Sequence, residues 1–240
     1  MKITSVNNDL IKETAKLLKG KYREESGLFL IEGDKGIEEA MSFGVELVHI
    51  FSSAGFEDYP QRIEVNEAVL SKITEAKTPP RAVAVAKQVK PVWSENYKKV
   101  FLLEGIKDPG NLGTILRATS AFGIDAIVLY GDTVDLYNPK CVRSAVGNLW
   151  KIPVFKFKDL SVFDEYEKIA TLPLGVNSVK LSDYKSSERV LIMFGSEADG
   201  LSEELKNIAD KNVTIEMVDS VESLNLSVSA SIVAYKLFIG

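Results

Sequence analysis

The hydrophobic positions of this chain recur with two periods, and the switches between them mark out its elements. Leu10, Ile11, Ala15, Leu17 and Leu18 form one side of a helical pattern over residues 7–19, with Lys12, Lys16 and Lys19 on a neighbouring stripe. From Leu28 onward short apolar runs alternate with helical ones, which predicts strands over 28–31, 45–51, 63–65 and 81–88 and helices over 35–43 and 67–73. Residues 90–96, Lys-Pro-Val-Trp-Ser-Glu-Asn, break both periods and read as a linker. Beyond it strands are predicted over 100–103, 126–130, 154–157, 172–176, 190–194 and 213–217. A helix opens within 108–123, and others are predicted over 138–149, 160–169, 203–208 and 224–238. The pattern gives a small α/β domain over 1–90, a linker over 91–98 and a larger α/β domain over 99–240. Repeated strand-helix units imply a mostly parallel sheet covered by helices on both faces.

Composition narrows the chemistry. At 240 residues, 45% of them hydrophobic and 26% charged, the chain is long enough for one large or two small domains. No apolar run reaches membrane-spanning length and no charged-then-apolar leader is present, so a cytoplasmic protein with no membrane partner is expected. The single cysteine, Cys141, and single histidine, His49, make serine-histidine triads and cysteine or histidine metal sites poor candidates, and no metal is expected. A net charge of −5 argues against indiscriminate attraction to nucleic acid. Any such attraction must come from a local cluster. The clearest is Lys12, Lys16 and Lys19, extended past a break at Gly20 by Lys21 and Arg23, although the same lysines also fit the solvated face of a surface helix.

Three stretches stand out from scaffolding. Asp108-Pro-Gly-Asn-Leu-Gly-Thr-Ile-Leu-Arg117 follows the apolar run 100–103 and opens a helix, with Pro109 and Gly110 in a tight turn, Asn111 a candidate cap and Gly123 a stop. Arg117, two turns into a rather apolar helix, is the odd residue. Gly195-Ser-Glu-Ala-Asp-Gly-Leu201 follows the apolar run 190–194. Ser223-Leu-Asn-Leu-Ser-Val-Ser229 opens the last helix, where serine and asparagine are poor interior residues and good caps. Open α/β sheets place ligands at the carboxyl ends of strands, where loops meet helix N-termini. Taken singly, each stretch also reads as turn glycines or an N-cap.

Together, in this order, the three resemble the signatures of the SpoU (TrmH-like) family of RNA 2′-O-ribose methyltransferases, within the SPOUT superfamily. Asp108-Pro109-x-Asn111-x-Gly113-x-Ile115-x-Arg117 carries the first signature, Gly195-x-Glu197-x-x-Gly200-Leu201 the second, and Ser223-Leu224-Asn225 with Ser227-Val228 the third. Val142-Arg143 with Gly147 fits an intermediate pattern. Phe29-Leu-Ile-Glu-Gly33 and the Thr78-Pro-Pro80 approach to a strand look like the RNA substrate-binding domain that many members carry.

The resemblance implies an α/β fold whose C-terminal SPOUT-type parallel sheet is closed by a trefoil knot, an exception to unknotted topology, with S-adenosylmethionine held in the knot. It implies that Gly195, Ile215 and Leu224 hold the cofactor and that Asn111, Arg117, Glu197, Ser223 and Asn225 form the active site. A homodimer is implied as well, and the apolar content of residues 224–239 exceeds what one buried helix face needs. Glu216 stands where many members have proline, and Asp219 where many have glycine.

Methyl transfer to a ribose hydroxyl is an in-line displacement, so the site must align the reacting atoms and help the hydroxyl lose its proton. The family's proposed proton acceptor is the arginine, yet a guanidinium stays protonated at ordinary pH. Arg117 is therefore read as an organiser of RNA phosphate and of developing oxyanion charge. A salt bridge between Arg117 and Glu197 is compatible with that role. Ribosomal RNA is the favoured substrate over transfer RNA. The alternatives are a transfer RNA 2′-O-methyltransferase, a non-catalytic RNA-binding protein on the same fold, and a dinucleotide-dependent oxidoreductase. The last is disfavoured because no Gly-x-Gly-x-x-Gly follows a predicted strand.

Overall fold

A computed structural model describes residues 1–240 apart from Leu174, Val176, Asn177 and Asp219. The chain divides into two compact units, Met1–Lys90 with Asp135–Trp150, and Pro91–Val134 with Lys151–Gly240. Among the described residues no helix is long and apolar enough to cross a membrane.

The first unit opens with β1 (Lys2–Ile3), α1 (Asp9–Lys16) and α2 (Gly20–Ser26). It continues through β2 (Leu28–Glu32), α3 (Asp34–Ser42), β3 (Leu47–Ser52), β4 (Arg62–Val65), α4 (Glu67–Lys72) and β5 (Ala82–Lys87). The five strands form a mixed sheet in the order β1-β4-β3-β5-β2. In β5, residues 82–86 are all buried between antiparallel neighbours β2 and β3, which is why that run is apolar without alternation. The helix expected over 7–19 is α1, which ends at Lys16, and a second helix, α2, follows it from Gly20. Asn8 caps α1 by accepting from the Leu10 amide at 2.9 Å, and α1 closes when the amides of Leu17, Leu18 and Lys19 turn back onto the carbonyls of Thr14, Ala15 and Lys16. Gly20, expected to be a break, starts α2 instead. Lys19 consequently lies beyond α1, at the N-cap of α2, and shares no helical stripe with Lys12 and Lys16.

The second unit begins with β6 (Lys99–Glu104), α5 (Pro109–Ala121) and β7 (Ala126–Tyr130). The chain then returns α6 (Pro139–Ala145) to the first unit, where Val146 (φ 46°) and Gly147 (φ 74°) are both left-handed and end the helix expected to run to 149. Back in the second unit follow β8 (Val154–Lys156), β9 (Glu167–Thr171), β10 (Ser178–Lys180), β11 (Val190–Phe194), α7 (Glu203–Asn207), β12 (Lys211–Thr214) and α8 (Leu226–Ile239). Every pairing in this seven-stranded sheet is parallel, in the order β10-β12-β9-β11-β6-β7-β8. Its central strands are buried on both faces, as the strand-helix alternation predicts.

The sheet overrules two local readings. Leu160, Phe163, Tyr166 and Ile169 are spaced like a helix face, yet 161–163 is a 3-10 turn and β9 pairs with both β11 and β12. Phe163 and Tyr166 pack edge-on to one another at 5.2 Å, and Phe163 meets Trp93 at 5.3 Å, so the spacing reflects an aromatic cluster laid against the sheet. The strand expected over 172–176 is thereby displaced to β9, and Leu174 and Val176 lie outside the described residues. The strand expected over 213–217 ends at Thr214.

Arg23 corrects the expectation that it extends the exposed basic cluster. It is 2% exposed, its Nε donates to Asp135 at 2.7 Å, and its Nη1 donates to the Leu17 carbonyl at 2.7 Å, satisfying the end of α1. Removing one partner of a buried ion pair costs more than the pair contributes, because the other group stays behind unpaired. Arg23→Met should lower unfolding free energy by roughly 2–4 kcal/mol in urea titration, the half-exposed Asp135 keeping it below the fully buried case.

Candidate functional site

β6 and β11 lie side by side, with Leu103 in register with Phe194, and the chain departs from them in opposite directions across the sheet. Such a reversal leaves a crevice beyond the carboxyl ends of the two strands. Two of the three conspicuous stretches follow these strands, the first as the opening of α5 and the second as the loop after β11.

After β6, Asp108 rather than Asn111 caps α5. Its carboxylate accepts from the Asn111 amide at 2.8 Å, and Pro109 occupies the first helical position, where a missing N–H costs nothing. The Asn111 side chain is thus free to reach outward. Its Nδ2 donates to Glu197 Oε1 at 2.7 Å, and its Oδ1 accepts from Asn225 Nδ2 at 3.1 Å. Asn225 also caps α8, its Oδ1 accepting from the amide and hydroxyl of Ser227 at 2.8 and 2.6 Å. The cap leaves the Asn225 Nδ2 available to reach Asn111. One chain of hydrogen bonds joins all three stretches.

The loop after β11 is locked by a close approach. A Cβ on Gly195 would lie 1.9 Å from the Gly200 carbonyl carbon and 2.1 Å from the Leu201 nitrogen, so only glycine fits. Ser196 and Gly200 exchange backbone hydrogen bonds at 3.1 Å, and Glu104 at the end of β6 accepts from the Ser202 amide at 2.7 Å.

The loop after β11, the end of β12 and the segment that opens α8 wall a cavity of about 470 Å³ in the second unit, lined by Gly195, Ile215 and Leu224 together with Glu197, Ser223 and Asn225, while Asn111 stands outside the lining and reaches it through Glu197 and Asn225. Its volume falls within the range of small-ligand pockets. The Thr214 hydroxyl belongs to a residue at the end of β12 that is 1% exposed and lines the cavity, and it has no hydrogen-bond partner among the described residues, so a ligand's polar edge would satisfy it. Thr214 was not among the expected residues. A threonine closing a buried strand is the only sequence signal it leaves. Glu216 does not line the cavity, whereas its neighbours Ile215 and Met217 do. It accepts from the Ser182 hydroxyl, and that bond holds its carboxyl below the usual glutamate range. The substitution for proline thus ties the outside of the loop to Ser182. Asp219 lies outside the described residues.

Arg117 is not gathered into this cavity. It is exposed, lies about 9 Å further along α5 than Asn111 and about a third of a turn around it, and makes no ion pair or hydrogen bond among the described residues. Glu197 takes Asn111 instead. α5 packs on α8, where Phe122 meets Tyr235 edge-on at 5.4 Å. α8 buries Ala230, Val233 and Leu237 but leaves Val228, Ile232, Tyr235 and Phe238 exposed, at 45%, 37%, 51% and 61%. In the first unit Lys12 and Lys16 are exposed, paired with Asp9 at 3.2 Å and Glu13 at 2.7 Å.

Comparison with known proteins matches both halves of the chain to described families. The sequence model of the SpoU rRNA Methylase family matches residues 98–235, and that of the MRM3-like substrate binding domain matches residues 8–84. The chain is 32% identical over 244 residues to the 23S rRNA (guanosine(2553)-2′-O)-methyltransferase RlmP of Bacillus subtilis (strain 168), covering 98% of each protein. The structure of an AdoMet-bound rRNA methyltransferase from Sinorhizobium meliloti superposes with a TM-score of 0.87 at 26% identity, covering 98% of this chain and 96% of that one. An RNA 2′-O ribose methyltransferase structure gives 0.82 at 30% identity, covering 98% and 97%.

Proposed function

This chain belongs to the SpoU rRNA methylase family, and on that premise we propose how its residues divide the work of methylating RNA. It is an S-adenosylmethionine-dependent RNA 2′-O-methyltransferase. Ribosomal RNA is its substrate, a reading supported by the end-to-end likeness to the 23S rRNA enzyme.

The observation that carries the division of roles is the Asn225–Asn111–Glu197 hydrogen-bond chain at the cavity. Bound S-adenosylmethionine supplies a methyl group made electrophilic by its sulfonium. Gly195 would line its place with backbone, Ile215 and Leu224 would cover its apolar parts, and the Thr214 hydroxyl would meet a polar edge. Asn111, held from both sides, fixes Glu197 and Asn225 at the rim, so that ribose meets preset groups. Ser223 lines the same rim and offers its hydroxyl to the substrate. The Arg117 guanidinium steadies phosphate and the oxyanion that develops on the ribose.

Because Arg117 stands outside the cavity lining, the site is completed by a second copy of the chain docked through the exposed stripe of α8. Four large apolar side chains at helical spacing are more than a solvated helix face carries. RNA reaches the protein through Lys12, Lys16 and Lys19, since the net field of an acidic protein repels it.

Arg117→Ala should reduce methyl transfer to ribosomal RNA at least a hundredfold while S-adenosylmethionine affinity stays within about twofold, read by labelled-methyl transfer and calorimetry. Near-normal turnover would remove Arg117 from the site. Light scattering at micromolar concentration should give twice the 26.5 kDa of one chain, and a monomeric mass would end the two-copy reading. Changing Lys12, Lys16 and Lys19 together to glutamine should weaken RNA binding and lower the log-log salt slope by about one unit for each phosphate those lysines neutralise. An unchanged slope would leave them as a solvated face.

A further inference from the structure

The first unit contains a second cavity, of about 270 Å³, between α3 and the end of α6. Of the buried side-chain polar atoms without a hydrogen-bond partner among the described residues, four belong to residues that line it: Glu32 Oε1, Asp34 Oδ1, Glu39 Oε2 and Trp150 Nε1. Buried polar groups are nearly always paired, so a cluster of orphans around one cavity points to a ligand that pairs them. The Glu32 side chain is only 2% exposed, and one of its oxygens already accepts from Arg143 at 2.8 Å.

We propose that this cavity binds an unpaired guanine base of the substrate RNA, read by the Glu39 carboxylate. The inference rests on the RNA methyltransferase reading and adds a base preference to it. Three carboxylates offer acceptors and one indole N–H offers a donor. Guanine alone among the four bases presents two adjacent donors, N1–H and the 2-amino group, beside an acceptor, O6. Adenine, cytosine and uracil each present a single donor position on that edge. A cation is the wrong partner, because Glu32 already holds Arg143, Asp34 holds Arg81, and Lys35 lines the same space. Glu39 is the carboxylate left without an ion pair among the described residues. No group of three acidic, histidine or cysteine residues that could hold a metal occurs among the described residues either. Sequence-specific RNA recognition depends on unpaired bases whose hydrogen-bonding edges can be reached.

The surrounding backbone is built to keep Glu39 there. A Cβ on Gly147 would lie 1.4 Å from Glu39 Oε2, so a side chain there would push the carboxylate aside, and the left-handed φ of 74° favours glycine at that position. Val146, a β-branched residue, is held left-handed at φ 46° and ψ 56° beside it, a conformation that persists only where surroundings over-determine it.

Trp150 and Trp93 are the two tryptophans of the chain, so a Trp93→Phe variant makes Trp150 fluorescence a reporter of this cavity. Guanosine monophosphate should change it saturably, with inosine monophosphate, which lacks the 2-amino group, and adenosine monophosphate each bound about tenfold more weakly. Glu39→Gln should bring guanosine monophosphate down to the adenosine level without altering S-adenosylmethionine affinity. Should Trp93→Phe unfold, saturation-transfer NMR on the otherwise unmodified chain reads the same preferences. Equal affinity for the three nucleotides, or an unchanged preference in Glu39→Gln, would overturn the proposal. Labelled-methyl transfer to ribosomal RNA, measured on the same preparation, separates the two readings. Transfer without guanine preference removes the base pocket alone, and guanine preference without transfer removes the methyltransferase assignment alone.

Discussion

The site depends on one side chain held from both ends. Asn111 donates its amide N–H to Glu197 and accepts from Asn225 on its amide oxygen, so the first turn of α5, the loop after β11 and the start of α8 share a single junction. Hydrogen bonds of this kind contribute about 1 kcal/mol each, more where a carboxylate is the acceptor. Ordering even one loop residue costs about as much. The junction alone therefore cannot hold three segments in place. What holds them is the packing beneath: Gly195 pressed against the Gly200 backbone, Leu201 and Leu226 buried, and Glu104 gripping the Ser202 amide. The hydrogen bonds select among arrangements that packing has already narrowed, which is how polar groups at a site's rim acquire a fixed geometry.

The second unit was legible in the sequence because chemistry and topology coincide there. A run such as 100–103 followed by proline, glycine and asparagine can be read as strand, turn and helix start without knowing its neighbours. What could not be read was which residue does which job. Asp108 and Asn111 both suit a cap, and only the structure shows that Asp108 takes that role and frees Asn111. The segment 160–169 failed for a different reason. Aromatic residues three apart serve a helix face and an irregular cluster equally well, and pairing with β11 and β12 decided the matter.

Charged residues in the first unit were the least legible. Arg23 looks like one more member of a basic stripe, yet Asp135, far away in sequence, draws it into the interior. Glu39 and Gly147 have no local signal at all, since their relation is a close approach between segments more than a hundred residues apart. Periodicity reports which face of an element is apolar. It is silent on which charges are spent inside the fold and which remain for a ligand.

That distinction bears on how an acidic enzyme handles an anionic substrate. Lys12 and Lys16 each rest against a carboxylate one helical turn away, contacts between exposed groups that contribute little and that a phosphate can displace. In each of the other two pairs one member is buried, Arg23 itself against Asp135 and Glu32 against Arg143, so breaking either pair would leave a buried charge stranded. Arg117 belongs to neither group: it is exposed, unpaired among the described residues, and carried on the same helix as Asn111. A cation kept free of internal partners retains its full charge for whatever arrives. A planar guanidinium with several donors suits charge that appears only as the ribose oxygen reacts, since its hydrogen bonds are already aimed when that charge develops.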